Sequence, residues 1–298
     1  MSSQIWIGIK GVIRSSMPRL SKAQLVLLAL PGLFAVPASA QQPAYIISAG
    51  IAGNGVFGIL NPRTGAFQPI GPGDPDGYFG LAPGPHGSLY SLTYTANLVS
   101  INRDTGVPAA IGPTGLESCL IPLPTCTSKT AFSLGSFNGK IYATNWGNEI
   151  YIVDPRSGIA TLLTSNSGLP SSPFVLGSQN QDGTYNFADE AIWQSGGKLY
   201  LTYDALVVDL TNFAVIDVVS PTLYQLDPMT GKATVIGPTA EGIGGVYDVN
   251  GVDYAFDDLT GQILRLDLTS GKTTPVGYFA PAAGVIQGAV PVSAQSFK

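Results

Sequence analysis

Basic residues, histidine and cysteine are scarce in this chain of 298 residues. There are fourteen Lys and Arg against nineteen Asp and Glu, one histidine and two cysteines, and only 11% of residues are charged. Four of the basic residues and none of the acidic ones lie in residues 1–40, so the remainder carries a formal charge of −9. A nucleic-acid partner is excluded on this ground, because phosphate contacts need clustered Lys and Arg and no basic stripe is present. A single histidine, His86 in the turn PGPHGS, leaves little for a triad, with the turn's own Ser88 as the nearest hydroxyl in sequence. It reads as a solvated turn residue. Disorder is excluded as well, since 45% of residues are hydrophobic.

One apolar run stands out, from Ala23 to Val36. It follows Arg19 and Lys22 and precedes the small-residue site Ala38-Ser39-Ala40. Basic flank, short apolar run and small residues make a signal peptide over residues 1–40, with Met17 as an alternative true start. The run is shorter than the roughly 20 residues of a membrane-spanning helix, although an uncleaved anchor is the rival reading. The expectation is export, to the periplasm or outside the cell, with residues 41–298 as one domain and no membrane span after cleavage. In that compartment Cys119 and Cys126 of SCLIPLPTC are expected to form a disulfide across a short loop. A zinc site would need further ligands.

What is abundant is glycine (37) and proline (23), dispersed along the chain. One turn recurs five times: Asn61-Pro-Arg-Thr-Gly65, Asn102-Arg-Asp-Thr-Gly106, Asp154-Pro-Arg-Ser-Gly158, Asp227-Pro-Met-Thr-Gly231 and Asp267-Leu-Thr-Ser-Gly271. Asp or Asn can accept a bond from the backbone two residues on, and the closing glycine supplies a left-handed conformation. Each turn follows an alternating strand such as IYIV or ILRL and precedes another such as ATVIGPT. Upstream of each hairpin lies a strand with a tyrosine: Tyr45, Tyr90, Tyr142, Tyr200 and Tyr254. Four of these have a further strand before them, which makes four strands in about 50 residues, the pattern of a propeller blade.

The strand missing before Tyr45 has a counterpart at the other end, Gly284–Val292. The reading is a five-bladed β-propeller of four-stranded antiparallel blades, with the C-terminal strand completing the N-terminal blade and leaving no open edge. Blades are expected at 43–72 with 284–292, 77–113, 130–165, 186–238 and 242–278. Residues 205–221 read as an insertion forming an extra hairpin. Small residues in the first strands (Gly80, Ala82, Ser133, Ala191, Gly244, Gly245, Gly288, Ala289) suit strands converging on an axis. A β-sandwich or an irregular repeat array is the competing architecture.

With these residues in view, the repeat resembles the LY-x-I-D-P-x-T-G type of propeller repeat of secreted bacterial proteins. The resemblance covers nearly all of the chain after residue 40. It implies architecture, since many such proteins have no assigned activity and the motif specifies turns and strands, not a site.

Candidate ligand residues come from the loops after the tyrosine strands. Aligned positions there hold Ser48-Ala49, Thr93-Tyr94, Asn145-Trp146, Tyr203-Asp204 and Asp257-Asp258. Tyr94, Asn145, Trp146, Tyr203, Asp204, Asp257 and Asp258 are residue types that stack on a sugar and hydrogen-bond to it; polar, variable loop tips are the plainer reading. Asp189 and Glu190 form the only acidic pair at the start of a first strand. Glu190 is the candidate general acid of a carbohydrate hydrolase or lyase, a chemistry that needs a second carboxylate about 5–10 Å away. The aligned positions of the other blades carry none, so a solvated pair is the plainer reading. Asp74-Pro-Asp76-Gly and Asp257-Asp258 offer oxygen ligands but not the spacing of a calcium loop. No metal or cofactor is expected. The sequence therefore points to a non-enzymatic binding or structural module whose partner is an extracellular glycan or protein. Plugging of the funnel by Phe79 and Phe132 would favour the structural role.

Overall fold

The structure is a computed structural model that describes residues 42–49, 55–118, 127–170, 180–209, 214–240 and 242–292. The expected signal peptide and the Cys119–Cys126 pair lie outside these residues.

The five Asp/Asn turns fold as their chemistry dictates. In each, the glycine N–H donates to the carbonyl of the first residue at 2.8 Å, from Gly65 to Asn61 through Gly271 to Asp267. The first side chain accepts from the backbone two residues on, as Asp154 Oδ1 does from Arg156 at 3.0 Å and Asp227 Oδ1 from Met229 at 2.8 Å. All five glycines have positive φ, between 66° and 83°. These bonds favour the ionised acid, and Asp154, Asp227 and Asp267 are all held below the usual carboxylate range.

Each turn joins the third and fourth strands of a four-stranded antiparallel sheet, and five such sheets form the ring. Blade II holds β4 (Tyr78–Pro83), β5 (Leu89–Thr93), β6 (Asn97–Ile101) and β7 (Pro108–Pro113). Blade III holds β8 (Ala131–Phe137), β9 (Lys140–Asn145), β10 (Ile150–Val153) and β11 (Ala160–Thr164). Blade IV has β12 (Tyr185–Ser195), β13 (Lys198–Asp209), β14 (Ala214–Leu226) and β15 (Ala233–Pro238). Blade V has β16 (Ile243–Val249), β17 (Val252–Asp257), β18 (Gln262–Leu266) and β19 (Thr273–Tyr278). Blade I is composite. Its strands β1 (Ala44–Ala49), β2 (Val56–Leu60) and β3 (Phe67–Pro69) are completed by β20 (Val285–Pro291), which pairs with β1 from Ala44↔Pro291 to Ala49↔Val285. The ring is closed by its own C-terminal strand, as the repeat predicts. The blade boundaries agree within two residues at each end of every blade but the first, whose β3 is only three residues long.

The innermost strands β20, β4, β8, β12 and β16 pack against one another around the axis. Their glycines are there because backbones touch. A Cβ on Gly80 would lie 2.1 Å from Leu134 N, on Gly244 2.0 Å from Ile286 O, and on Gly288 2.4 Å from Leu81 N. The turn glycines have a second duty at the rim: a Cβ on Gly106, φ +66°, would lie 2.1 Å from Ile70 O of the preceding blade. Gly106→Ala therefore combines backbone strain with a backbone clash, and a loss of about 2–4 kcal/mol is expected from such a site. The denaturation midpoint measures it; an unchanged midpoint would mean that this turn does not dock on its neighbour.

One expectation on the fold needs correcting. Residues 205–221 do not form a separate hairpin. They pair with each other as a continuation of β13 and β14, from Ala205↔Val219 to Asp209↔Ala214, with register shifts at Tyr203/Ala205 and Val207/Val208, and β12 grows to match, from Tyr185↔Val208. Long strands keep their ladder bonds satisfied where a detached hairpin would need a surface of its own.

Candidate functional site

The axis has two ends, an upper one where the innermost strands begin and a lower one where they finish. The upper end holds the residues singled out from sequence, and there the described side chains pack on one another. On blades II and III the rings of Phe79 and Tyr94 lie 4.4 Å apart, Phe79 and Phe132 5.0 Å, and Phe132 and Trp146 5.5 Å. Tyr94 and Trp146 are buried in this stack. Asn145 is turned inward to cap its own turn, accepting from Gly147 and Glu149 at 3.0 Å and donating to Glu149 at 2.6 Å. Asp257 does the same on blade V, accepting from the backbone of Leu259 and Thr260. Tyr203 and Asp204 stand inside β13 and not in a loop, because the insertion prolongs that strand.

The acidic pair is likewise not solvated at a strand start. Asp189 and Glu190 lie in mid-strand, 6% and 1% exposed. Alternation along β12 sends them apart. Ala188 and Ile192 pack with blade III, so Glu190 faces that side, towards Thr144 of β9. Ala191 packs with blade V, so Asp189 faces the seam between blades IV and V. Asp204 is its cross-strand partner and shares that face, with Oδ2 accepting from Gly242 N at 2.7 Å. Asp258, in the turn after β17, reaches from blade V to blade I, where its Oδ1 accepts from Ile286 N of β20 at 2.8 Å. A Cβ on Gly244 would lie 2.7 Å from Asp258 Oδ2, so the bare glycine makes room for the carboxyl.

Neither oxygen of Glu190, nor Asp189 Oδ1, nor Asp258 Oδ2 has a hydrogen-bond partner. Burial pushes Glu190 up to about 8 against the lowering effect of the facing Thr144 hydroxyl, and the charge of Asp204 adds to the rise. Burial also raises Asp189, with the charges of Glu190 and Asp257 adding to the rise, and it raises Asp258, with the charge of Asp189 adding most after burial. No basic group figures among the influences on these three, and among the described residues no set of three His, Cys, Asp or Glu side chains is placed to hold a metal ion. With no basic group beside them among the described residues, protonation is the way such carboxyls avoid burying charge. Asp74, also considered as an oxygen ligand, caps its own turn at Asp76 N, 2.9 Å.

An open space lies at the lower end. A cavity of about 180 Å³ is lined there by residues from the last turns of all five innermost strands, among them Pro83, Ser136, Gln194, Asp248 and Pro291. Leu81, Ile192 and Val290 make much of the wall apolar, and Trp193 and Tyr247 complete it. Asp248 sits in the wall with Oδ1 accepting from Gly251 N at 2.7 Å. Behind it, its cross-strand partner Asp253 is buried and accepts from Trp193 Nε1 at 2.8 Å and Ser195 Oγ at 3.0 Å. Burial lifts Asp253 to about 6 against the effect of those two donors, and the nearby Asp248 adds to the rise. His86 stands on the same side of the ring, exposed in the β4–β5 turn. Sequence reasoning missed this cavity because its residues are ordinary strand ends. The one available signal was Asp248, an acid in an innermost strand otherwise made of apolar and small residues.

No protein-family model matches the chain, and no curated protein does. Among solved structures it is similar to a chain of a nidogen/laminin complex, at 10% identity and a TM-score of 0.48 over 86% of this chain and 100% of that one. It is also similar to a catalytically inactive virginiamycin B lyase from Staphylococcus aureus with quinupristin, at 14% identity and 0.36 over 83% and 72%. A third is the PQQ-bound aldose sugar dehydrogenase of Streptomyces coelicolor, at 11% and 0.40 over 72% and 84%.

Proposed function

We propose that the chain is an exported propeller that binds an extracellular partner, a protein or a glycan, at the lower end of its axis. The observation that carries this reading is the cavity at that end. The cavity framed by all five innermost strands is at that end, while the stacking and acidic side chains of the upper end are packed into the interior. A small concave site with apolar walls and few polar groups is the usual form of a binding site. Export rests on the signal-peptide pattern of residues 1–40 and places the protein in the periplasm or outside the cell.

The test is a glycan array together with capture from the secreted fraction of the source cell, run with the native protein and with Gln194→Trp. Gln194 lies half-buried at the cavity, and an indole there narrows it. A ligand retained by the native ring and lost by the variant supports the reading. Equal retention by both would move the site elsewhere, and silence in both assays would remove binding as the function.

One observation favours a second reading, a carbohydrate hydrolase or lyase. Glu190, raised to about 8, would be protonated at neutral pH as a general acid must be. Its 1% exposure stands against it, because a glycosidic oxygen has to come within hydrogen-bond reach.

A further inference from the structure

Resting on the lower cavity as the ligand site, we infer that it takes a primary alkylammonium group, the chemistry of a lysine side chain presented by a protein partner. Three features converge on this class.

The first is electrostatic. The cavity wall carries Asp248, with Asp253 behind it across the β16–β17 pair, and no basic residue lines it. The donors that reach Asp253 are the neutral Trp193 and Ser195, and Asp248 is bonded only to a backbone N–H, so neither carboxylate is matched by a cation there. A cation at the mouth meets both charges in a partly dry setting, where attraction is stronger than in water. The formal charge of −9 outside residues 1–40 draws cations in the same sense.

The second is shape. About 180 Å³ is close to the roughly 150 Å³ of an engineered cavity that holds benzene, so a group of about six heavy atoms fits. The apolar wall of Leu81, Ile192 and Val290 suits a methylene stem, as lysine buries its stem and keeps its head polar.

The third separates ammonium from guanidinium. One oxygen of Asp248 already accepts from Gly251 N, so a two-pronged guanidinium would have to share that oxygen with the backbone. An ammonium needs only one oxygen from it.

The experiment uses the intact protein with its Leu, Ile and Val methyls labelled, titrated with n-butylammonium, 1-butanol and butyrate. Shifts at Leu81, Ile192 and Val290 are expected with the first two probes. The ammonium should bind about tenfold more tightly than the alcohol, the factor a charge-assisted hydrogen bond confers. Asp248→Asn keeps the Oδ1 acceptor for Gly251 and should abolish that preference while alcohol binding persists. An acetylated lysine amide matching the free amine places the group on a protein; binding by the free amine alone overturns the protein source. Equal affinities for amine and alcohol, or a preference that survives Asp248→Asn, overturn the cation and leave the cavity as the ligand site. No methyl shift with any probe overturns the inference also, while the Gln194→Trp comparison judges the wider reading separately.

Discussion

A chain ended after Ala283 is expected to lose its cooperative folded state. β20 is the innermost strand of blade I, and its removal strips the β1 edge and uncovers both neighbouring innermost strands. Ile286, Ala289 and Val290 are buried. Burying an Ile or Val side chain is worth about 1.5–3 kcal/mol. The packing lost on the facing strands comes on top, so the total approaches the about 5–15 kcal/mol by which a whole domain is stable. Two point variants separate ring closure from a general effect of the tail. Ile286, fully buried among Ala44, Ile46 and Phe256, should cost about 2–5 kcal/mol when changed to Ala. Val285 is 38% exposed on the same strand, and Val285→Ala should cost under about 1 kcal/mol. Denaturation midpoints decide: a truncated chain that melts like the full one, or equal effects of the two variants, would show that β20 does not hold the ring.

Stability is expected to fall as pH rises from about 5 to 8, and Glu190→Gln should remove part of the fall. Glu190 is raised from 4.5 to about 8 in the folded chain by burial, and Asp189 and Asp258 are raised with it. Between the unfolded and folded values the native state holds protons that the unfolded chain has released. Raising pH therefore favours unfolding, by at most about 1.4 kcal/mol per pH unit for each group. The cost is absent below the unfolded value and complete above the folded one. The turn acids Asp154, Asp227 and Asp267 act in the opposite sense, since their lowered values lose stability only as pH falls below about 4. A stability maximum near pH 5 follows. Glu190→Gln replaces a carboxyl that must stay protonated with a neutral amide of the same shape, and a gain of about 2–4 kcal/mol at pH 8 is expected. Thermal midpoints across pH measure it. A flat profile, or a variant less stable than the native chain at pH 8, would show that this carboxyl is not held in a dry interior. The same variant bears on the hydrolase reading: a glycosidase using Glu190 as its acid would lose activity as pH rises through about 8 and lose it altogether with Gln.

The route from residues to ring was short because the repeat is local chemistry copied five times. Asp154-Pro-Arg-Ser-Gly158 closes the same bond at 2.8 Å as Asp227-Pro-Met-Thr-Gly231, and neither turn needs the rest of the protein to be understood. The site was less legible. Tyr94, Asn145, Trp146 and Asp257 occupy equivalent loop positions, and residue type alone does not tell a ring that stacks on a ligand from one that stacks on Phe132. Asp204 was misplaced by its position in the aligned loop, since extension of β13 through the insertion turned loop into strand. Asp189 and Glu190 looked solvated because acids usually are.

By itself the sequence determined the five-blade count, the boundaries of the blades and the closure of the ring by its last strand. All three follow from turns and alternation whose energetics lie within a few residues. Only the tertiary structure decided which end of the axis is open and which carboxyls are dry. Those properties depend on how side chains from different blades fill a shared space, and the distance from Asp189 to Asp258, or from Leu81 to Val290, has no meaning until the ring has closed.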